Sequence, residues 1–193
     1  VLSVRKKEQP MKKHWRMVLA VILCAVLCIG YYYYLANKPS KKDATDKVVQ
    51  NDELAYLVAR NISDNYPESV RDVVKLYARI TKEYYESDIS EEDIEKLGHQ
   101  ARLLFDDELK NTQTDEEFMR ALKEDISIYR NNNARISSFS LQSANDTKYT
   151  TFNNREYASL QLVYYIREGS RLRTSGTKFT LRKDNSGKWK ILY

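Results

Sequence analysis

With 193 residues, 31% of them charged, and a mean hydropathy of -0.65, the chain has room for one ordinary domain plus an appendage and the composition of a soluble surface, so a membrane segment has to be a local exception. The formal charge of +5 is unevenly spread, because residues 1–51 hold ten Lys/Arg against three acids while residues 52–193 hold 22 against 24. A nucleic-acid-binding module carries its basic stripe on the folded part, which here is slightly acidic, so nucleic acid is excluded from the expected partners.

The local exception runs from Met17 to Leu35, MVLAVILCAVLCIGYYYYL, nineteen residues without a charge. At 1.5 Å per residue it spans roughly 28 Å, close to the hydrocarbon thickness of a bilayer. Trp15 and Arg16 on one side and Tyr31, Tyr32, Tyr33 and Tyr34 on the other are the residue types that anchor at the lipid interface. Six Lys/Arg precede the segment and four come closely after it, which places residues 1–16 as a basic cytoplasmic tail, 17–35 as a transmembrane helix and the remainder of the chain outside the cell membrane. A cleaved signal peptide is the rival reading. Four tyrosines at the exit put bulky rings where a signal peptidase needs small residues, and the leucines before Cys24 and Cys28 do not fit a lipobox. Both cysteines lie inside the apolar run, so the outer domain has neither disulfide nor thiolate.

Residues 36–51 are polar and read as a linker, leaving 52–193 as an extracytoplasmic domain. A short helix is expected over 52–61, ended by the turn Ser63-Asp64-Asn65. A second is expected over 67–86, with Pro67 in its first turn and Val70, Val73, Val74, Tyr77, Ile80 and Tyr84 as its apolar stripe. Ser90 caps a third, SEEDIEKLGHQARLLFDDELK, whose Ile94, Leu97, Ala101, Leu104 and Phe105 share one side. Thr114 repeats the device for a helix carrying Phe118, Leu122, Ile126 and Tyr129, stopped at Asn131-Asn132-Asn133.

From there the apolar period changes from 3.6 to 2. Between Tyr157 and Arg167 the residues Ala158, Leu160, Leu162, Tyr164 and Ile166 alternate with a mixed set, as in a strand with one buried face. Residues 136–142, 172–183 and 188–193 are the other strands, with turns at Asn153-Asn154, Gly169-Ser170 and Asp184–Gly187. About four helices and then a curved, four-stranded antiparallel sheet make an α+β domain.

This order of elements, with the ending LRKDNSGKWKIL, resembles the nuclear transport factor two-like (cystatin-like) superfamily, whose last hairpin often reads as a charged turn and then Trp-x-Ile. The combination of the apolar run with NYPESVRDVVKLYARI, REYASLQLVYYIREG and FTLRKDNSGKWKIL resembles an uncharacterised family of membrane-anchored proteins in anaerobic Gram-positive bacteria. The first resemblance implies a cone between helices and sheet. Neither implies a particular activity, since such folds host unrelated functions.

Catalytic signals are weak. His99 lies beside the apolar stripe of its helix, the place of a solvated residue rather than a general base. The clusters Glu91-Glu92-Asp93, Asp106-Asp107-Glu108 and Asp115-Glu116-Glu117 lack the alternating spacing of a calcium loop, and two of the three are first-turn acids. Superfamily enzymes use an Asp base, or an Asp/His pair, with tyrosine donors; Tyr77, Tyr84, Tyr157 and Tyr164 are present here without a matching inward Asp on the strands, and such tyrosines are ordinary amphipathic packing. No catalytic residue, metal or cofactor is therefore expected.

The charge layout is more telling: residues 52–130 hold 11 Lys/Arg and 20 acids, residues 131–193 hold 11 and four. Arg155, Tyr157, Arg167, Arg171, Arg173, Lys178 and Arg182, with Lys188 and Lys190, are expected to form a basic outer face of the sheet for a protein, an anionic cell-wall polymer or the acidic helices of a second copy. Edge protection is the plainer reading of the same cations. Two further functional classes stay open: a structural part of a complex such as the type IV secretion and conjugation machines, whose bitopic assembly factors this layout resembles, and a small-molecule-binding or isomerase-like domain.

Overall fold

The computed structural model describes residues 53–86 and 88–193; the tail, the apolar run, its flanking anchors and the linker lie outside the described residues. Among the described residues no helix is long and apolar enough to cross a membrane.

The first helix, α1, occupies residues 53–59 and buries Leu57 completely. Arg79 of α2, Val70–Tyr84, holds Glu53 of α1 through two hydrogen bonds of 2.6 and 2.9 Å. The predicted stripe of α2 is buried, except that Tyr77 keeps partial exposure. Pro67 does not start this helix. Ser69 is the N-cap, its hydroxyl accepting from the Asp72 N–H at 3.1 Å, and Pro67 is buried in the approach to it.

The third predicted helix is two. Ser90 caps α3, Glu91–Leu103, and Asp106 caps the four-residue α4, Asp107–Lys110. Between them Phe105 forms a parallel bridge with Ile191: the Ile191 N–H donates to the Leu104 carbonyl at 2.8 Å and the Asp106 N–H to the Ile191 carbonyl at 2.7 Å. The sheet edge takes the backbone groups that an unbroken helix would have used internally. Thr114 opens α5, Asp115–Asn131, with a complete capping box to Glu117, and Asn133 leaves the helix at a φ of 52°.

Among the described residues the sheet has five strands where the sequence suggests four: β1 Ala134–Leu141, β2 Lys148–Phe152, β3 Arg155–Glu168, β4 Arg171–Lys183 and β5 Trp189–Ile191. Every residue of the unanticipated β2 is exposed, so it lacks the buried alternation by which a strand is recognised. It is held by pairing, from Lys148 opposite Ser159 to Phe152 opposite Arg155, and by the turn Asn153-Asn154, both at positive φ as a tight hairpin requires. β1 pairs with the other half of β3, while β4 runs along its opposite side and β5 along the end of β4, all antiparallel. Among the described residues the result is a mixed α+β fold of five helices and a curled half-barrel sheet.

Helix α2 lies against β1, β3 and β5, and α5 against α3 and β1. The even-numbered residues of β3 from Ala158 to Ile166, with Phe179, Leu181 and Ile191, face this helical layer and form the core. The odd-numbered residues of β3 face the other way, toward a side of the sheet that the short α4 meets at Arg182 through Asp106 and Glu108.

Candidate interaction face

Cross-strand register decides which side each charge takes, because paired residues point to the same face and neighbours along a strand to opposite ones. β3 and β4 pair without a break from Tyr157 opposite Arg182 to Glu168 opposite Arg171. The open face of β1 to β4 thus receives Arg135, Lys148, Arg155, Arg167, Lys178 and Arg182, and no carboxylate. The two strand acids, Glu156 and Glu168, take the helix side.

A groove of about 470 Å³ lies on this open face, where β2, β3 and β4 adjoin. Lys148 and Lys178 supply its charge, Phe152, Tyr157 and Tyr193 its rings, and Thr150, Ser159 and Thr180 its hydroxyls. Phe152 and Tyr193 are 66% and 71% exposed, so the rings stand free for contact instead of filling the core. Two cations, free rings and hydroxyls suit the binding of an extended anionic molecule. The lining contains no histidine, carboxylate or thiol side chain.

The predicted face is only partly assembled. Tyr157 and Lys178 line the groove, and Arg155 stands beside it opposite Phe152. Arg167 is at the far end of the same face, next to Arg135 and Leu172. Arg171 and Arg173 lie on the helix side instead. Pairing across the Gly169-Ser170 turn always matches an odd number with an even one, so the odd positions that face outward on β3 face the helices on β4. There Arg173 pairs with Glu168 at 3.1 Å and its charge acts on Tyr129 of α5.

Arg182 has the outward parity but is not available. Its guanidinium grips both carboxylate oxygens of Asp106, through Nε at 3.0 Å and through Nη2, while Nη1 reaches Glu108 at 2.9 Å. Only 14% of its side chain is exposed, and 6% of that of Asp106. Lys188 and Lys190 stand over the Tyr66 ring at 5.2 and 4.2 Å, and Lys190 donates to the Leu103 carbonyl at 2.7 Å. Burial, reinforced by Lys110, pulls the Lys190 pKa below the ordinary lysine value. Sequence reading missed Lys148, Thr150, Phe152 and Tyr193; the first three belong to the strand without an apolar signature.

The other candidate residues have structural placements. His99 is exposed on α3. Asp93, Asp106 and Glu117 serve helix starts, and among the described residues no three metal-ligating side chains converge. Tyr77 meets Phe105 and Phe179 with ring centroids 5.7 and 5.6 Å apart. Burial raises the pKa of Tyr77, Tyr84 and Tyr164, keeping these interior phenols neutral.

No curated protein matches the chain. A family model described as Domain of unknown function (DUF6715) matches residues 5–193, nearly the whole length, and the chain belongs to that family.

Proposed function

We propose that this protein is a membrane-tethered, non-enzymatic interaction module whose extracytoplasmic domain captures an anionic partner, a protein or a cell-wall polymer, on the open face of its sheet. The observation that carries this reading is the sorting of strand charges: no strand acid faces outward, and besides Arg182, which Asp106 and Glu108 hold, five strand cations do, around a groove with exposed rings. A face on which cations outnumber acids attracts anions over a Debye length and favours them at contact. The tether rests on residues 17–35 with their interfacial Trp and Tyr flanks, which support a single span with the N-terminus cytoplasmic. Helices first and a curled sheet last support placement among nuclear transport factor two-like domains.

Binding of purified full-length chain in detergent to a poly(glycerol phosphate) wall polymer and to an acidic protein tests the capture. The double variant Lys148→Glu, Lys178→Glu should weaken binding at least tenfold at low salt, with the difference shrinking as salt rises, whereas His99→Ala should bind as wild type. Equal binding by the double variant removes the reading. Cysteine labelling in intact cells tests the topology: a membrane-impermeant reagent should modify a cysteine at position 143 and not one at position 3, and the reverse pattern refutes the orientation.

A further inference from the structure

β4 is far longer than the strand beside it. It runs from Arg171 to Lys183, yet β5 pairs only with Leu181, Arg182 and Lys183, and backbone bonds carry the contact one residue further, to Thr180. Residues 171–178, RLRTSGTK, are all exposed, and among the described residues they pair with no strand except β3. The N–H groups of Thr180 and Asp184 both donate toward the β5 side, to the Tyr193 and Lys188 carbonyls. By the two-residue period of a strand, Leu172, Thr174, Gly176 and Lys178 turn their N–H and C=O groups to that same side, beyond the end of β5. The edge contains no proline and no bulge, and its glycine is not at positive φ. Four donor–acceptor pairs are therefore presented in strand geometry along one open line.

We infer that this edge receives an extended, acidic segment of a partner protein as an added strand, an inference that deepens the interaction-module reading and rests on it. Main-chain hydrogen bonds to Leu172, Thr174, Gly176 and Lys178 give the affinity, and alternate side chains give the selection. On the helix side, the added strand's side chains lie next to Arg171 and Arg173, and since the Arg173 side chain stays 58% exposed in its pair with Glu168, carboxylates two residues apart are favoured there. On the open side, Lys178 adds a third cation next to the groove, and Leu172, 60% exposed, offers an apolar contact. A second copy is the wrong occupant. Two such edges would bring Arg171, Arg173 and Lys178 of each chain onto one seam, six cations against the two Glu168 side chains already paired with Arg173. The chain's own residues 36–51 are also of the wrong sign, with four lysines against two aspartates.

The test uses purified full-length chain and a labelled eight-residue peptide with glutamate at alternate positions and valine or threonine between them. A control peptide has the same sequence and charge but N-methyl groups on the amides of one edge. Peptide binding should slow hydrogen exchange at least tenfold at Leu172, Thr174, Gly176 and Lys178, and N-methylation should weaken binding at least tenfold. Gly176→Pro deletes an edge-facing N–H outside the β3 ladder, at a position where an added Cβ meets nothing within 4 Å, so it should lose the peptide while still unfolding in a single cooperative urea transition. Equal binding of both peptides, no binding, or unchanged exchange at saturation overturns the added strand and leaves the cations as guards of an edge. If poly(glycerol phosphate) binds while the edge tests fail, the anion-binding face stands without strand addition. If the peptide protects the four amides and the polymer shows no affinity, strand addition stands and the polymer is excluded as partner.

Discussion

Replacing Arg182 separates a structural cation from a surface one. In Arg182→Ala the Asp106 carboxylate, 6% exposed, keeps the hydrogen bond from the Glu108 N–H at 2.9 Å and loses its two-pronged partner. Removing one member of a buried pair costs about 3–5 kcal/mol, because an uncompensated charge stays behind. The residual exposure of both groups and the surviving Glu108 amide bond place this case near the low end, about 3 kcal/mol. Against a total stability of about 5–15 kcal/mol, that is a large share. At a urea slope of about 1.5 kcal/mol/M, the midpoint should fall by about 2 M. Arg182→Lys keeps the charge but not the fork and should recover only part of the loss. Asp106→Ala also removes the cap of α4, and the double variant should be at least about 1.5 kcal/mol more stable than the summed single losses imply. Arg167→Ala, an exposed cation on the same face, should stay within about 0.5 kcal/mol of wild type. A cost below about 1 kcal/mol for Arg182→Ala, or single losses that simply add, would show that the clamp contributes nothing beyond a surface ion pair.

Gly98 of α3 faces α5, where an added Cβ would stand 2.6 Å from the Met119 sulfur and 2.9 Å from its methyl group. Since the thioether end can turn aside and alanine favours the helix by about 0.5–1 kcal/mol, Gly98→Ala should unfold within about 1 kcal/mol of wild type, whereas Gly98→Leu should cost about 2 kcal/mol or more by forcing the helices apart. Burial raises the carboxyl pKa of Glu83, which is 2% exposed, against the opposing pull of Lys82 3.1 Å away. Relative to the ordinary value of 4.5, its protonated form is favoured by folding, so its contribution is fully present below that pH and is lost as pH rises through the raised folded value. Glu83→Gln should accordingly flatten the fall in urea midpoint between pH 4 and 7 and be no less stable than wild type at pH 7; a loss above about 1 kcal/mol there would mean that the Lys82 pair outweighs burial. Tyr66→Phe removes the hydrogen bond at 2.8 Å to the Trp189 carbonyl and should lower stability by about 1 kcal/mol in the same assay, with no change implying that solvent replaces it fully.

Features under the control of short-range physics are legible along the chain. Ser90 and Thr114 have Asp93 and Glu117 three residues later, and both begin helices because a hydroxyl three positions back satisfies an amide left over at the first turn. The alternation of Ala158, Leu160, Leu162, Tyr164 and Ile166 declares a strand with one buried face, and the excess of acids before residue 131 and of bases after it separates an acidic helical layer from a basic sheet. The tertiary structure alone decided how the basic residues divide. Arg171 and Arg173 turn to the helix side through the parity of a two-residue turn, and Arg182 is bound by a carboxylate 76 positions away. β2 exists because β3 offers it a partner and not because it buries anything, and one expected helix breaks at Phe105 because Ile191 competes for its backbone groups. Each of these is a contest between local preference and a distant partner, and periodicity cannot register a partner that chain folding brings near only after the elements have formed.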